Sequence, residues 1–458
     1  MDLAERLAEY ASGLSYSDLE RDGRVLAEAK KRILDAVGCG VGAFGAAPVK
    51  AARRLAVEGY PAKSSTVLGT RRKTTPDVAA LVNGLMVRYF DFNDTYLSRE
   101  PAHPSDNIPA CLAVAEMEGR SGKDILVAVV LAYEVQCRLC DAANLRHRGW
   151  DHVNYGLVSV ALAAGKLMRL SGEEMAHAVN ISLNSHLAMR QVRAGAISEW
   201  KGFSFANAAR NAVFSARLAR EGIRGPSPIF EGEMGFFNQV SGRFQADTRN
   251  FGGRDGKFKL SETSIKFFPA EYHAQSAIWA ALALRKSLGA EGLAKVSVVG
   301  VETSEAGYTI LGKDDEKWAP ETRETADHSI PYIVAAALLD GGVDEASFAP
   351  KKFRDPARRE LMKKVVVAED KTMTMGYPGS ISCRVTVKLE DGRTLKEQVD
   401  DPRGHPMNPM TDEEVGAKFV ELTEGLLTAG QADKVRDIVA NFERWDASAL
   451  MGACVVKA

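Results

Sequence analysis

Cysteine is scarce in this chain: 6 occur among 458 residues, at positions 39, 111, 137, 140, 383 and 454. Thiols so few and scattered do not frame a disulfide scaffold, and a chain of this length has enough apolar material to fold without one. Cys137 and Cys140 lie inside an apolar helical pattern and not at a strand-to-helix turn, which argues against redox chemistry. An iron–sulfur cluster needs more thiolates at suitable spacing. An excess of charge is missing too. The 59 lysines and arginines face 60 acids, so there is no electrostatic footprint for nucleic acid or an anionic membrane. No apolar run approaches the roughly 18 residues of a spanning helix, and the most hydrophobic stretch, Ile125 to Cys137, ends at Arg138. The opening Met1-Asp2-Leu3-Ala4-Glu5-Arg6 lacks the charged-then-apolar layout of a secretory signal. These absences give the expectation of a cytoplasmic protein with reduced thiols and no nucleic-acid or membrane partner. Also absent are a P-loop, a glycine fingerprint after a strand, His-Glu-x-x-His and Gly-x-Ser-x-Gly, which disfavours nucleotide-dependent transfer and serine hydrolysis.

What is present reads as two to three domains by length. The first 260 residues are a succession of helices. Ser17-Asp18-Leu19-Glu20 opens one that runs through Val37, Thr75-Pro76 opens another, and Asp106 to Glu118, Ile125 to Cys140, Tyr155 to Leu170, Gly172 to Ser185 and Phe203 to Glu221 follow. Runs such as Ala161-Leu162-Ala163-Ala164-Gly165 let helix axes approach closely, the mark of buried helices. After Gly252-Gly253 the pattern changes. Val296 to Val301 reads as a strand, and Ile381 to Lys388 and Thr394 to Val399 read as a hairpin whose Asp391-Gly392 suits a type I′ turn. Apolar helices, Ala274 to Leu288 and Tyr332 to Leu339, lie between these strands. Thr411-Asp412-Glu413-Glu414 is a capping box that returns the chain to helices. The expected fold is mainly α with an inserted α+β domain: residues 1–262 and 405–458 form a large helical domain, and residues 263–404 form the insertion.

The densest polar segment is Tyr89-Phe90-Asp91-Phe92-Asn93-Asp94-Thr95-Tyr96 followed by Ala102-His103-Pro104-Ser105-Asp106-Asn107. It is a loop of about fifteen residues between helices, a length that is usually functional inside a compact domain. Its acids, amide, hydroxyl and imidazole suit acid/base work, with Asp91 and His103 ahead of Asn93 and Asp94. A capped polar loop is the structural alternative. The oxygen ligands could hold Mg²⁺ or Ca²⁺, but the EF-hand spacing is absent and no metal ligands are assigned. His152 follows a basic loop at a helix start, where unpaired N–H groups attract anions or a plain cap suffices. Arg190 and Arg193 are three apart, a spacing that ordinarily means a solvated face. Lys201 sits among apolar neighbours at a helix start, where a desolvated amine would be a strong anion ligand. In the inserted part, Lys266, Glu271 and His273 lead into one helix and His328 precedes another.

Taken together, Asp91 to Thr95, His103 to Asn107, Trp200-Lys201-Gly202-Phe203-Ser204-Phe205-Ala206-Asn207-Ala208-Ala209-Arg210, Lys266-Phe267-Phe268-Pro269-Ala270 and Ala326-Asp327-His328-Ser329-Ile330-Pro331-Tyr332 resemble the MmgE/PrpD family. That family includes 2-methylcitrate dehydratase, cis-aconitate decarboxylase and iminodisuccinate epimerase. The resemblance covers nearly the whole chain, in order. It implies a helical domain with an α+β lid, a homodimer, and chemistry on a small polycarboxylate without metal, cluster or other cofactor. The family's active-site positions match Asp91, Thr95, His103, His152, Lys201, Lys266 and Tyr332. The Glu271 position is a histidine in the decarboxylase branch, while Leu97-Ser98-Arg99-Glu100 and Met189 to Arg193 resemble the methylcitrate dehydratase branch. The implied activity is dehydration of 2-methylcitrate. Asp91, His103, Lys201 and Thr95 are expected to be catalytic, and His152, Arg190, Arg193, Lys266, Glu271, His273, His328 and Tyr332 to bind substrate. The alternatives are epimerisation of an amino-dicarboxylate such as iminodisuccinate, decarboxylation of cis-aconitate, and polycarboxylate binding without turnover.

Overall fold

Local chemistry fixes where the helices begin. Pro76 occupies the first position of the Pro76–Arg88 helix, where its missing N–H costs no hydrogen bond. Ser121 and Ser171 start Gly122–Ala142 and Gly172–His186 through capping boxes closed by Asp124 and Glu174. The computed structural model of the chain describes residues 1–57, 63–194 and 197–457. The helix expected from Ser17 through Val37 is two, Tyr16–Asp22 and Val25–Gly42, because Gly23 takes φ +69° between them. Ser15, not Ser17, caps the first of these.

The chain is mainly helical with a small mixed sheet. A short antiparallel pair, β1 (Ser65–Thr66) and β2 (Lys73–Thr74), sits among the early helices. The main sheet contains β3 (Val296–Thr303), β4 (Val365–Glu369), β5 (Cys383–Leu389) and β6 (Thr394–Val399) in the order β4-β3-β5-β6. β3 and β4 are parallel and the other pairs antiparallel. β4 was not expected, since Val365-Val366-Val367-Ala368 is too short a run to separate strand from helix by periodicity. The β5–β6 connection is not the expected type I′ turn. Gly392 has φ +88° but Asp391 does not take positive φ, and the Gly392 N–H donates to the Leu389 carbonyl.

Two large apolar cores result. One gathers side chains from Leu3 to Leu260 and also Phe419, Val435, Ile438, Phe442 and Leu450 from the C-terminal helices. The other runs from Phe268 to Leu389, where the Ala274–Ala294 and Ile330–Asp340 helices pack on each other and on the sheet. Helix contact in the first core depends on small residues. A Cβ on Gly156 would lie 2.4 Å from Phe205 Cε2, so Val153–Leu167 meets Trp200–Arg220 only because that position is glycine. Among the described residues no single helix is long and apolar enough to cross a membrane.

Candidate active site

The loop between Arg88 and Ile108 is ordered by its own polar groups. Asp94 accepts hydrogen bonds from the Ser105 N–H (2.8 Å) and the Tyr133 hydroxyl (2.7 Å). Asn93 Nδ2 donates to Ser105 Oγ and Asp106 Oδ1, both at 2.8 Å. Asn93 and Asp94 are therefore scaffold. Thr95 and Ser264 exchange backbone hydrogen bonds of 2.8 Å in both directions. That bridge brings the next segment, with Lys266, against the loop. The Thr95 hydroxyl donates back to the Ala102 carbonyl at 3.2 Å. From the Asp412–Thr423 helix, Lys418 donates to the carbonyls of Phe92 and Lys266, each at 2.8 Å, and lies 2.6 Å from Asp35. The C-terminal return of the chain thus ties the two segments together.

Asp91 is the focus. It takes φ +51°, uncommon for a residue with a Cβ, and it is buried. Arg88 Nη1 and Lys266 Nζ each donate to Oδ1 at 2.5 Å, and Lys201 Nζ donates to Oδ2 at 2.9 Å. Lys266 also donates to the Asp91 carbonyl at 2.7 Å, which holds the unusual backbone. Burial alone would raise the carboxyl, but Arg88, Lys201 and Lys266 outweigh it and hold it well below the usual carboxylate range. Lys201 stands at the second position of Trp200–Arg220, where the helix dipole disfavours a cation. Asp91 and Asp327, the latter 3.5 Å away, supply the compensating charge.

His103 stands on the same hub. Its Nδ1 is 2.8 Å from the Asp94 carbonyl, which can only accept, so Nδ1 carries the proton. Its Nε2 then accepts from Arg88 Nη2 at 3.0 Å. Burial, with Arg88 and Lys266, holds His103 well below the ordinary imidazole value, so it is neutral. His328 is the second imidazole. Nδ1 is 2.5 Å from Asp327 Oδ1, and Nε2 is 3.6 Å from Asp91 Oδ2. Burial and Lys201 lower it as well.

The remaining candidates form two walls. His152 packs edge-on to His103, ring centroids 5.9 Å apart. Its Nδ1 is 3.1 Å from Asp151, whose other oxygen accepts from Arg193 Nε at 2.9 Å, and its buried Nε2 has no hydrogen-bond partner among the described residues. Burial and Arg193 bring His152 down to about 3. Arg190 belongs to this charge group. On the other side the Glu271 N–H donates to the Asp327 carbonyl at 2.9 Å, and Glu271 Oε1 is 2.9 Å from His273 Nδ1. Burial opposes ionisation of Glu271, but His273 holds it at about 2. Tyr332 is not brought to the site. Its hydroxyl donates to the Ser347 carbonyl and accepts from Arg358, each at 2.6 Å, in the second core. The expectation for Tyr332 is corrected: third in its helix, its ring enters the second core and its hydroxyl is committed to Ser347 and Arg358.

Sequence reasoning missed Arg88, which links Asp91, His103 and Asp106. The available signal was an arginine ending an apolar helix immediately before the polar loop. Asp91, Asp327 and His328 also place ligand atoms within 4.8 Å of one another. Because Lys201 and Lys266 already occupy the Asp91 oxygens, a divalent cation there would face two ammoniums and a guanidinium.

Residues 5–249 match the MmgE/PrpD N-terminal domain and residues 268–444 the MmgE/PrpD C-terminal domain. The chain belongs to the MmgE/PrpD family. Similar proteins named 2-methylcitrate dehydratase occur in bacteria and fungi. A 2-methylcitrate dehydratase from Cupriavidus necator is 29% identical over 434 residues, 88% of this chain and 85% of that protein. One from Salmonella typhimurium is 30% identical over 394 residues, covering 81% and 80%. A mitochondrial 2-methylcitrate dehydratase from Yarrowia lipolytica is 28% identical over 445 residues, covering 91% and 84%.

Proposed function

We propose that this MmgE/PrpD member is a hydro-lyase that dehydrates 2-methylcitrate to 2-methylaconitate without a metal or other cofactor. The observation that carries the reading is the meeting of three cations on buried Asp91 beside neutral His103. Breaking a C–H bond next to a carboxylate puts negative charge on that carboxylate. Lys201 and Lys266, fixed in advance in a water-poor site, stabilise this charge more than the ground state. His103 takes the proton at Nε2 as Arg88 Nη2 gives up its hydrogen bond to that nitrogen and turns to the substrate carboxylate. The C–H electron pair forms the alkene, the C–O bond breaks, and the hydroxyl leaves as water with a proton from Lys201. Exchange with solvent returns both groups to their starting charge. Asp91 in this scheme organises the cations, since Arg88 and Lys266 occupy one of its oxygens and Lys201 the other. Thr95 positions the loop. His152, with an unpartnered acceptor, receives the substrate hydroxyl, and Arg190, Arg193, Glu271, His273 and His328 line the remaining surface.

The finer architecture belongs to the same proposal: residues 1–262 and 405–458 make the helical body, residues 263–404 serve as its lid, and two chains form a homodimer. The test is to incubate chelator-treated protein with 2-methylcitrate and follow the ultraviolet absorbance of the unsaturated product. Citrate, cis-aconitate and iminodisuccinate run in parallel. The reading requires alkene from 2-methylcitrate. Inversion of iminodisuccinate without alkene would favour an epimerase, and inertness toward all four would discard polycarboxylate chemistry.

A further inference from the structure

In the loop around Asp91, three successive backbone carbonyls each accept a hydrogen bond from a different cation. Lys266 Nζ serves the Asp91 carbonyl at 2.7 Å and Lys418 Nζ the Phe92 carbonyl at 2.8 Å. Arg323 Nη2 serves the Phe90 carbonyl at 3.2 Å. Asp91, at φ +51°, lies in the middle of this run. A residue with a Cβ keeps such a backbone only where its surroundings over-determine it. The Phe90 carbonyl and the Asp91 N–H share one peptide plane, and that N–H donates to the Arg88 carbonyl at 3.1 Å. With the Asp91 carbonyl held as well, both planes that define the Asp91 backbone are pinned, and with them the direction of its carboxylate.

Arg323 reaches the loop from the second core. It opens the Arg323–Ala326 turn, which Thr322 caps by accepting from the Thr325 N–H. Its own carbonyl accepts from the Asp327 N–H at 2.9 Å, so one turn brings both Arg323 and the Asp327–His328 pair to the site. Glu345 grips the guanidinium through two hydrogen bonds of 2.6 and 2.8 Å, a paired contact that sets its plane. The guanidinium carbon lies 5.1 Å from the ring centroid of Phe90, which packs on the first core, and 5.4 Å from that of Phe348 in the second. Arg323 therefore joins the two cores at the peptide that precedes Asp91.

We propose that Arg323 is a positioning residue for the Asp91 centre: by holding the Phe90 carbonyl it sets how Asp91 presents Lys201 and Lys266, and so couples the seating of the second core to the competence of the site. Its kinetic part rests on the dehydratase reading above. Among the described residues the guanidinium hydrogen-bonds only Glu345 and the Phe90 carbonyl, so it acts through Asp91. A displacement of the reacting groups by about 1 Å is enough to lower turnover by about 10²-fold.

The experiment uses the full-length protein as wild type, Arg323→Ala, Arg323→Lys, Asp91→Asn and the Arg323→Ala/Asp91→Asn double variant. Kinetics with 2-methylcitrate are run with and without millimolar guanidinium. That ion reaches the vacated place through a cavity of about 610 Å³, which Arg323 lines with Tyr89, Phe90, Glu345 and Phe348. Arg323→Ala is expected to lower kcat by about 10–100-fold with KM within about threefold of wild type. Arg323→Lys should keep more of the rate, and guanidinium should restore part of it saturably. Unchanged kcat in folded Arg323→Ala, a change confined to KM, or no rescue by guanidinium would overturn the proposal. Thermal midpoints give a readout that needs no substrate: the double variant should lose less than the sum of the two singles, and additive losses would overturn the proposal even if turnover falls. If Arg323→Ala does not fold, Arg323→Gln takes its place in both measurements. Non-additive midpoints in a protein whose wild type forms no alkene would keep the positioning role and reject the dehydratase reading.

Discussion

Asp91→Asn tests the electrostatic logic of the site. The substitution keeps shape and removes one negative charge from a buried cluster with three cations on that group. Lys266 then has only neutral acceptors, the backbone carbonyl of residue 91 and the amide oxygen, and Lys201 retains the charge of Asp327 at 3.5 Å. Stranding one partner of a buried ion pair costs about 3–5 kcal/mol, and here more than one is stranded. At about 2–4 °C per kcal/mol, the thermal midpoint should fall by roughly 6–20 °C. Adding Lys201→Met removes one stranded cation, so the double variant should be less damaged than the sum of the singles by about 0.5–3 kcal/mol. Denaturation of wild type, both singles and the double in one buffer reads both quantities. A midpoint within about 2 °C of wild type for Asp91→Asn, or strict additivity in the cycle, would refute the organisation described.

Two further outcomes follow. His103→Asn should lower turnover by about 10²–10⁴-fold, the range of a lost general base, with a smaller midpoint change than Asp91→Asn. Kinetics and denaturation of the same preparation check this. His152 is held at about 3 when folded and titrates near 6.5 when unfolded. Between those values the unfolded chain binds more protons, so stability declines as pH falls from about 6.5 toward 3, by up to ~1.4 kcal/mol per unit. His152→Phe should flatten the dependence of the midpoint on pH across that window, and an unaltered slope would show that His152 is not buried neutral.

Much of this was legible in the sequence because it is local. Pro76 at a first helical position and Thr411, whose side chain accepts from the Glu414 N–H, mark helix starts with residues adjacent in sequence, so those starts could be read directly. The polar loop announced itself by length and composition. What could not be read is set by contacts distant in sequence. Arg88 looks like the end of an apolar helix until Asp91 and His103 fold over it. Tyr332 shares a motif with His328, yet it stands inside the Ile330–Asp340 helix that begins after His328, and its hydroxyl meets Arg358. β4 exists only because β3 lies beside it in parallel. Lys418 becomes meaningful when the carbonyls around it are known.

The most direct test of the central claim follows 2-methylcitrate by proton NMR with wild type and Lys201→Met side by side, both treated with chelator. The account predicts conversion to a single alkene by wild type and a rate lower by about 10²-fold or more in the variant. Undiminished conversion by Lys201→Met, or none by a folded wild type, would contradict it.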